Sequence, residues 1–88
     1  MDIKVKEVLG TKFSDEDAIV LRNYIKANMD KELILDFSDI NKVPTTFLCC
    51  LFTELIYTEG RDYIFSRINV KNLSNYRDYR RVVLGTAF

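Results

Sequence analysis

The chain has 88 residues, 48% of them hydrophobic, with thirteen acidic and thirteen basic side chains and no His or Trp. This is the size of a single domain, 1–88, and a folded chain so short buries only about 60–65% of the surface its unfolded form exposes, so the core is small. Zero net charge leaves no electrostatic case for nucleic acid or a membrane surface, and no apolar run approaches the ~18 residues of a spanning helix.

Met1-Asp2-Ile3-Lys4-Val5-Lys6 alternates and holds no apolar signal-peptide core. Ile3, Val5, Glu7 and Leu9 against Lys4, Lys6 and Val8 predict a half-buried strand ending at Gly10. Ser14 then has the chemistry of an N-cap, with Asp15, Glu16 and Asp17 placing negative charge where the helix dipole favours it. Ala18, Leu21, Ile25 and Met29 continue at helical spacing, and the helix is expected to end near Asn28–Asp30. Leu33-Ile34-Leu35 is a continuous apolar run of strand length, extended by Phe37 and interrupted by Asp36, as suits a central strand.

Pro44 disfavours helix at Val43, so the next helix is expected to start after it. Leu48, Leu51, Phe52 and Leu55 form its apolar stripe, flanked by Phe47 and Ile56, and Gly60 ends it. Residues 61–67 read as irregular or a single turn, anchored by Tyr63, Ile64 and Phe65. Ile68-Asn69-Val70-Lys71 alternates as another half-buried strand. Asn72-Leu73-Ser74 leads into a last helix in which Tyr76, Tyr79 and Val83 share a face. The order β-α-β-α-β-α implies an α/β domain with a mostly parallel sheet of three or four strands, order 1-2-3, and crossover helices on one face.

Few residues carry chemistry. Thr45 and Thr46 fall at a helix start beyond the C-terminal end of the central strand, the edge where open α/β sheets place ligands. There a hydroxyl can cap the helix or accept phosphate. Asp36 and Asp39 form a carboxylate pair at the same edge, able in principle to do acid–base work or hold a hard cation. The plainer expectation is that Asp36 binds loop amides and Asp39 makes an Asx turn. Cys49-Cys50 cannot form a disulfide on a helix or build a zinc site without further ligands. One is expected in the core and the other at its margin, and a reduced, cytoplasmic protein follows. Tyr57, Tyr63, Tyr76 and Tyr79 are expected at the core margin, and Arg67, Lys71, Arg77, Arg80 and Arg81 on solvated surface.

The block Leu35-Asp36-Phe37-Ser38-Asp39-Ile40 followed by Pro44-Thr45-Thr46-Phe47-Leu48 resembles the STAS domain (sulphate transporter and anti-sigma factor antagonist). It is most similar to the shorter STAS-like family of bacterial proteins without an assigned function. Phe13-Ser14 at the first helix and Asn72-Leu73-Ser74 after the third strand add to the likeness, which runs from about residue 11 to 80. In anti-sigma factor antagonists the first hydroxyl of the pair is phosphorylated by a partner kinase, and that position falls on Thr45. The chain departs from that pattern at Pro44, where those proteins have Asp, and at Phe47, where they have Gly.

The resemblance implies a small STAS-like fold and a non-catalytic regulatory module that binds a protein partner, with a histidine-kinase-like ATPase as the candidate. Thr45 and Thr46 are then the candidate phosphate acceptors, and Asp36, Asp39, Thr45, Thr46 and Phe47 the candidate partner-facing set. No nucleophile–base pair, metal cluster or phosphate loop is visible, so neither enzyme activity nor a cofactor is expected. An accessory or neutralising subunit of a toxin–antitoxin or phage-defence assembly is the alternative, and a small-molecule or nucleotide binder the third. The exposed edge of a short sheet also makes the chain a candidate for self-association.

Overall fold

Leu33, Ile34 and Leu35 lie in the middle strand of a three-stranded parallel sheet in the computed structural model, which describes residues 1–10 and 12–85. Strand β2 (Leu33–Asp36) sits between β1 (Asp2–Lys4) and β3 (Ile68–Lys71) in the order β1-β2-β3. The register aligns Ile3, Leu35 and Val70 in one row and pairs Leu33 with Ile68 in another. These rows face the helices, and Ile3, Leu33, Leu35 and Ile68 are buried. The alternate rows, Asp2-Ile34-Asn69 and Lys4-Asp36-Lys71, form the other face. On that face Asp2, Lys4, Asn69 and Lys71 are exposed.

The helix layer runs α2 (Asp15–Ala27), α3 (Thr45–Glu59), α5 (Tyr76–Leu84), with α3 packed between the other two. Ala18, Leu21 and Ile25 of α2 meet Leu48, Leu51, Phe52 and Leu55 of α3 in one core. Phe52 packs edge-on against Tyr79 at 5.3 Å between ring centroids. Tyr79 is buried, its hydroxyl donates to the Ile68 carbonyl at 3.4 Å, and burial pushes its pKa up. The parallel order and the one-sided helix layer are those expected from the alternation of elements.

Two elements differ from the reading of the sequence. The first strand stops at Lys4, and Val5–Leu9 form a short helix, α1. Val5, Val8 and Leu9 also fit helical spacing, and they pack against the core from that helix. Residues Arg61–Arg67 form a two-turn helix, α4, where irregular chain or a single turn was expected. Gly60, at φ 92°, makes the sharp turn that separates it from α3. Only Ile64 is buried in α4, so its period is too short to read. Its ends are fixed by cations: Arg67 stacks over the Tyr63 ring at 5.3 Å, and Arg61 donates to the Val82 and Val83 carbonyls at 2.8 and 2.9 Å.

The aromatic and cysteine expectations also shift. Tyr57 is 89% exposed rather than marginal. Cys50 packs partly against the core while Cys49 is exposed, so neither is fully buried. No helix among the described residues is long and apolar enough to cross a membrane.

Candidate functional site

The loop from Phe37 to Pro44 leaves the C-terminal end of β2 and is tied down by side chains that come from far along the chain. Asp36 is its first anchor. Its Oδ1 accepts from the Ser38 backbone N–H at 2.9 Å, the Ser38 hydroxyl at 2.6 Å and the Asn72 amide at 2.9 Å. The Asn72 bond first, and then those from Ser38, hold the Asp36 carboxyl down to about 2, from an ordinary 3.8. Lys71 approaches the other oxygen at 4.0 Å. Asp36 itself makes the Asx turn that Asp39 was expected to make.

This corrects the placing of Asp36 in the partner-facing set. It is only 8% exposed and its Oδ1 is fully engaged within the chain, so it shapes the loop from beneath. Asp39 is exposed at the loop tip with φ 65°, a left-handed conformation that Asp tolerates better than most residues. The two carboxylates therefore occupy different environments. Among the described residues no group of three or more His, Cys, Asp or Glu side chains could hold a metal ion.

The second anchor is Asn75, which clamps Val43 from both sides. Its side-chain oxygen accepts from the Val43 N–H at 3.3 Å, and its amide donates to the Val43 carbonyl at 2.8 Å. The same amide donates to Asp78 Oδ2 at 3.1 Å, which lowers the Asp78 pKa. Thr45 completes the chain, its hydroxyl donating to that same oxygen at 3.3 Å. The Ser74 hydroxyl donates to the Asn41 carbonyl. Four contacts thus run from the β3–α5 corner to the β2–α3 loop.

Neither threonine is the N-cap of α3. That position is Pro44, whose carbonyl accepts from Phe47 at 3.0 Å and Leu48 at 3.2 Å, with no side-chain cap and no acidic residue in the first turn. Thr45 and Thr46 are the first two helical residues and both are exposed. The reason is local: Pro44 has the extended ψ of 139° that an N-cap requires, which moves the cap one residue earlier than the hydroxyls.

Phe47 is a correction too. Expected at the partner-facing surface, it is 1% exposed and packs edge-on against Phe13 at 5.0 Å. It lies one turn before Leu51 on the same face, so the apolar stripe of α3 is a residue wider than its spacing suggested. Phe13 also lines a cleft of about 430 Å³ with Asp39, Ile40, Asn41, Lys42 and Pro44. Of the sequence-derived set, Asp39, Thr45 and Thr46 remain at the surface, and Asp36 and Phe47 lie beneath it. Asn75 and Asp78 were missed. Asn and Ser crowd together just after β3, but nothing local shows that their side chains reach back over thirty residues.

A model of the family described as a STAS-like domain of unknown function (DUF4325) matches residues 17–78. The match spans the Asp36 and Asn75 anchors and both threonines, and leaves β1 and α1 outside. No curated protein and no solved structure matches the chain.

Proposed function

Because the chain belongs to the STAS-like family of unknown function, we propose that it is a non-catalytic regulatory module. In this reading it binds a protein partner through the β2–α3 loop and the first turn of α3. The observation that carries the reading is the Thr45–Asp78–Asn75–Val43 chain of hydrogen bonds. It holds the loop from behind and leaves Asp39, Asn41, Lys42, Pro44 and Thr46 outward. A loop fixed in this way meets a partner with little ordering cost.

Thr45 is the switch residue in this reading. A phosphate on its hydroxyl meets the helix dipole favourably, by about 0.3–1 kcal/mol. It also stands against the Asp78 carboxylate and removes the hydroxyl proton that bonds it. The perturbation passes through Asn75 to the Val43 backbone, and so to the loop that faces the partner. A histidine-kinase-like ATPase is the candidate partner; a toxin or nuclease in its place would make the chain the neutralising subunit of a larger assembly.

The test starts from a partner captured on the tagged chain, identified, and purified. Asp39→Arg and Thr46→Arg are expected to weaken its binding about tenfold or more, as charge changes at a binding surface do. Tyr57→Ser, on the outer side of α3, should leave it unchanged. Equal affinities for all three variants would place the interface elsewhere.

A further inference from the structure

We propose that the outer edge of β1 joins a second copy of this chain. The two sheets then form one six-stranded sheet, β3-β2-β1-β1-β2-β3, about a two-fold axis at Ile3. The β1 edge lies outside the family match, and the proposal is independent of the reading of the β2–α3 loop.

The edge is chemically open. β1 pairs with β2 on one side, and among the described residues no strand pairs with the other. The Met1 carbonyl accepts from the Ile34 N–H at 2.9 Å, so Met1 and Ile3 turn their backbone groups towards β2. Backbone direction alternates along a strand, so Asp2 and Lys4 turn their N–H and C=O groups outward.

Those two residues decide the register. Antiparallel self-pairing through outward-facing groups can set Asp2 against Asp2, Lys4 against Lys4, or Asp2 against Lys4 twice. The first two oppose like charges. The third makes two hydrogen-bonded pairs, each joining a carboxylate to an ammonium on the exposed sheet face. It is centred on Ile3 and self-complementary, as a two-fold interface must be. The other sheet edge has no such selectivity: β3 is bounded by Arg67 and Lys71, both cations.

The helix layer continues the surface. α3 separates α2 from α5, and α5 meets β3 through the Tyr79 hydroxyl and the Ile68 carbonyl, so α2 lies at the β1 side of the layer. Arg22 and Lys26 reach from α2 to Glu54 of α3 at 3.1 and 3.3 Å, which fixes the flank of α2 that faces α3. Val20 and Tyr24, one turn apart, stand on the opposite flank and are 52% and 40% exposed. Two-fold pairing of β1 brings this flank towards its copy and covers apolar surface that the monomer leaves in water. With only three residues in β1, the interface falls at the small end of specific contacts, and a reversible micromolar dimer is expected.

Sedimentation velocity on the full chain, from one to a few hundred micromolar, tests this. The wild-type chain should show a concentration-dependent dimer. Asp2→Lys alone, or Lys4→Asp alone, sets like charges opposite each other twice and should weaken the dimer about tenfold or more. The double exchange Asp2→Lys with Lys4→Asp should restore it, and mixing the two single variants should give a heterodimer. Restoration by mixing separates lost pairing from a folding defect, which mixing cannot repair. A wild-type chain that stays monomeric throughout, single variants that dimerise like wild type, or single variants that remain monomers when mixed would each overturn the proposal.

Discussion

Helices α2 and α3 begin in opposite ways. At the start of α2, Ser14 and Asp17 close a complete capping box: Asp17 accepts from the Ser14 N–H at 3.0 Å and its hydroxyl at 2.7 Å, and Ser14 accepts from the Asp17 N–H at 3.3 Å. Three acids follow in the first turn. Every element of that cap lies within a few residues, so the end of α2 is finished by local chemistry. The start of α3 has no side-chain cap and no first-turn acid, and its loop is held by Asn75 and Asp78 from another corner of the fold. A helix end completed locally is already neutralised. One left open and fastened from a distance can respond to a negative group, and can pass the response on.

The largest expected effect breaks the α3 end from within. Phe47→Ala removes a buried ring that packs on Phe13, and should destabilise the fold by about 3–5 kcal/mol in urea unfolding. A loss near zero would mean that the ring is not core.

Asp36→Asn tests the first anchor of the loop through its pH dependence. The Asp36 pKa is depressed in the folded chain to about 2 from 3.8, so its contribution is present above about pH 4 and is lost as pH falls towards 2. The variant should melt below wild type at neutral pH, and the gap should close between about pH 4 and 2. Parallel melting-temperature profiles for the two proteins would show that the anchor carries no charge-dependent stability.

Asn75→Ala sharpens the contrast. It leaves both polar groups of the Val43 backbone without their partner and should cost about 1–3 kcal/mol. Hydrogen exchange should rise at Val43 more than at the start of α2.

The smallest effects compare the two helix starts directly. Ser14→Ala should cost about 1 kcal/mol, whereas Thr46→Ala should cost no more than a few tenths, since Thr46 caps nothing. Equal losses in thermal unfolding would erase the distinction between the two ends.

What the sequence made legible follows the same division. Leu33-Ile34-Leu35 and the stripe from Leu48 to Leu55 are long apolar signals, and both elements stand where expected. Ser14 caps α2 as read, and the structure adds the reciprocal bond to Asp17 that completes the local motif. Val5–Leu9 and Arg61–Arg67 are too short to distinguish helix from the alternatives by period. Phe47 was misread because its cover, Phe13, comes from a different element. The loop anchors were invisible for the same reason: Asn72 reaches Asp36 across 36 residues and Asn75 reaches Val43 across 32, and pairing at that distance leaves no mark on local spacing.

The most direct test is the affinity of the purified partner for Thr45→Asp and Thr45→Ala, measured beside their melting temperatures. Thr45→Asp sets a carboxylate beside Asp78 and should weaken binding about tenfold or more, while Thr45→Ala, which loses the hydroxyl bond but adds no charge, should weaken it far less. Both should melt within a few degrees of wild type, because neither change touches the core. Equal partner affinity for the two variants would contradict a switch at the open end of α3.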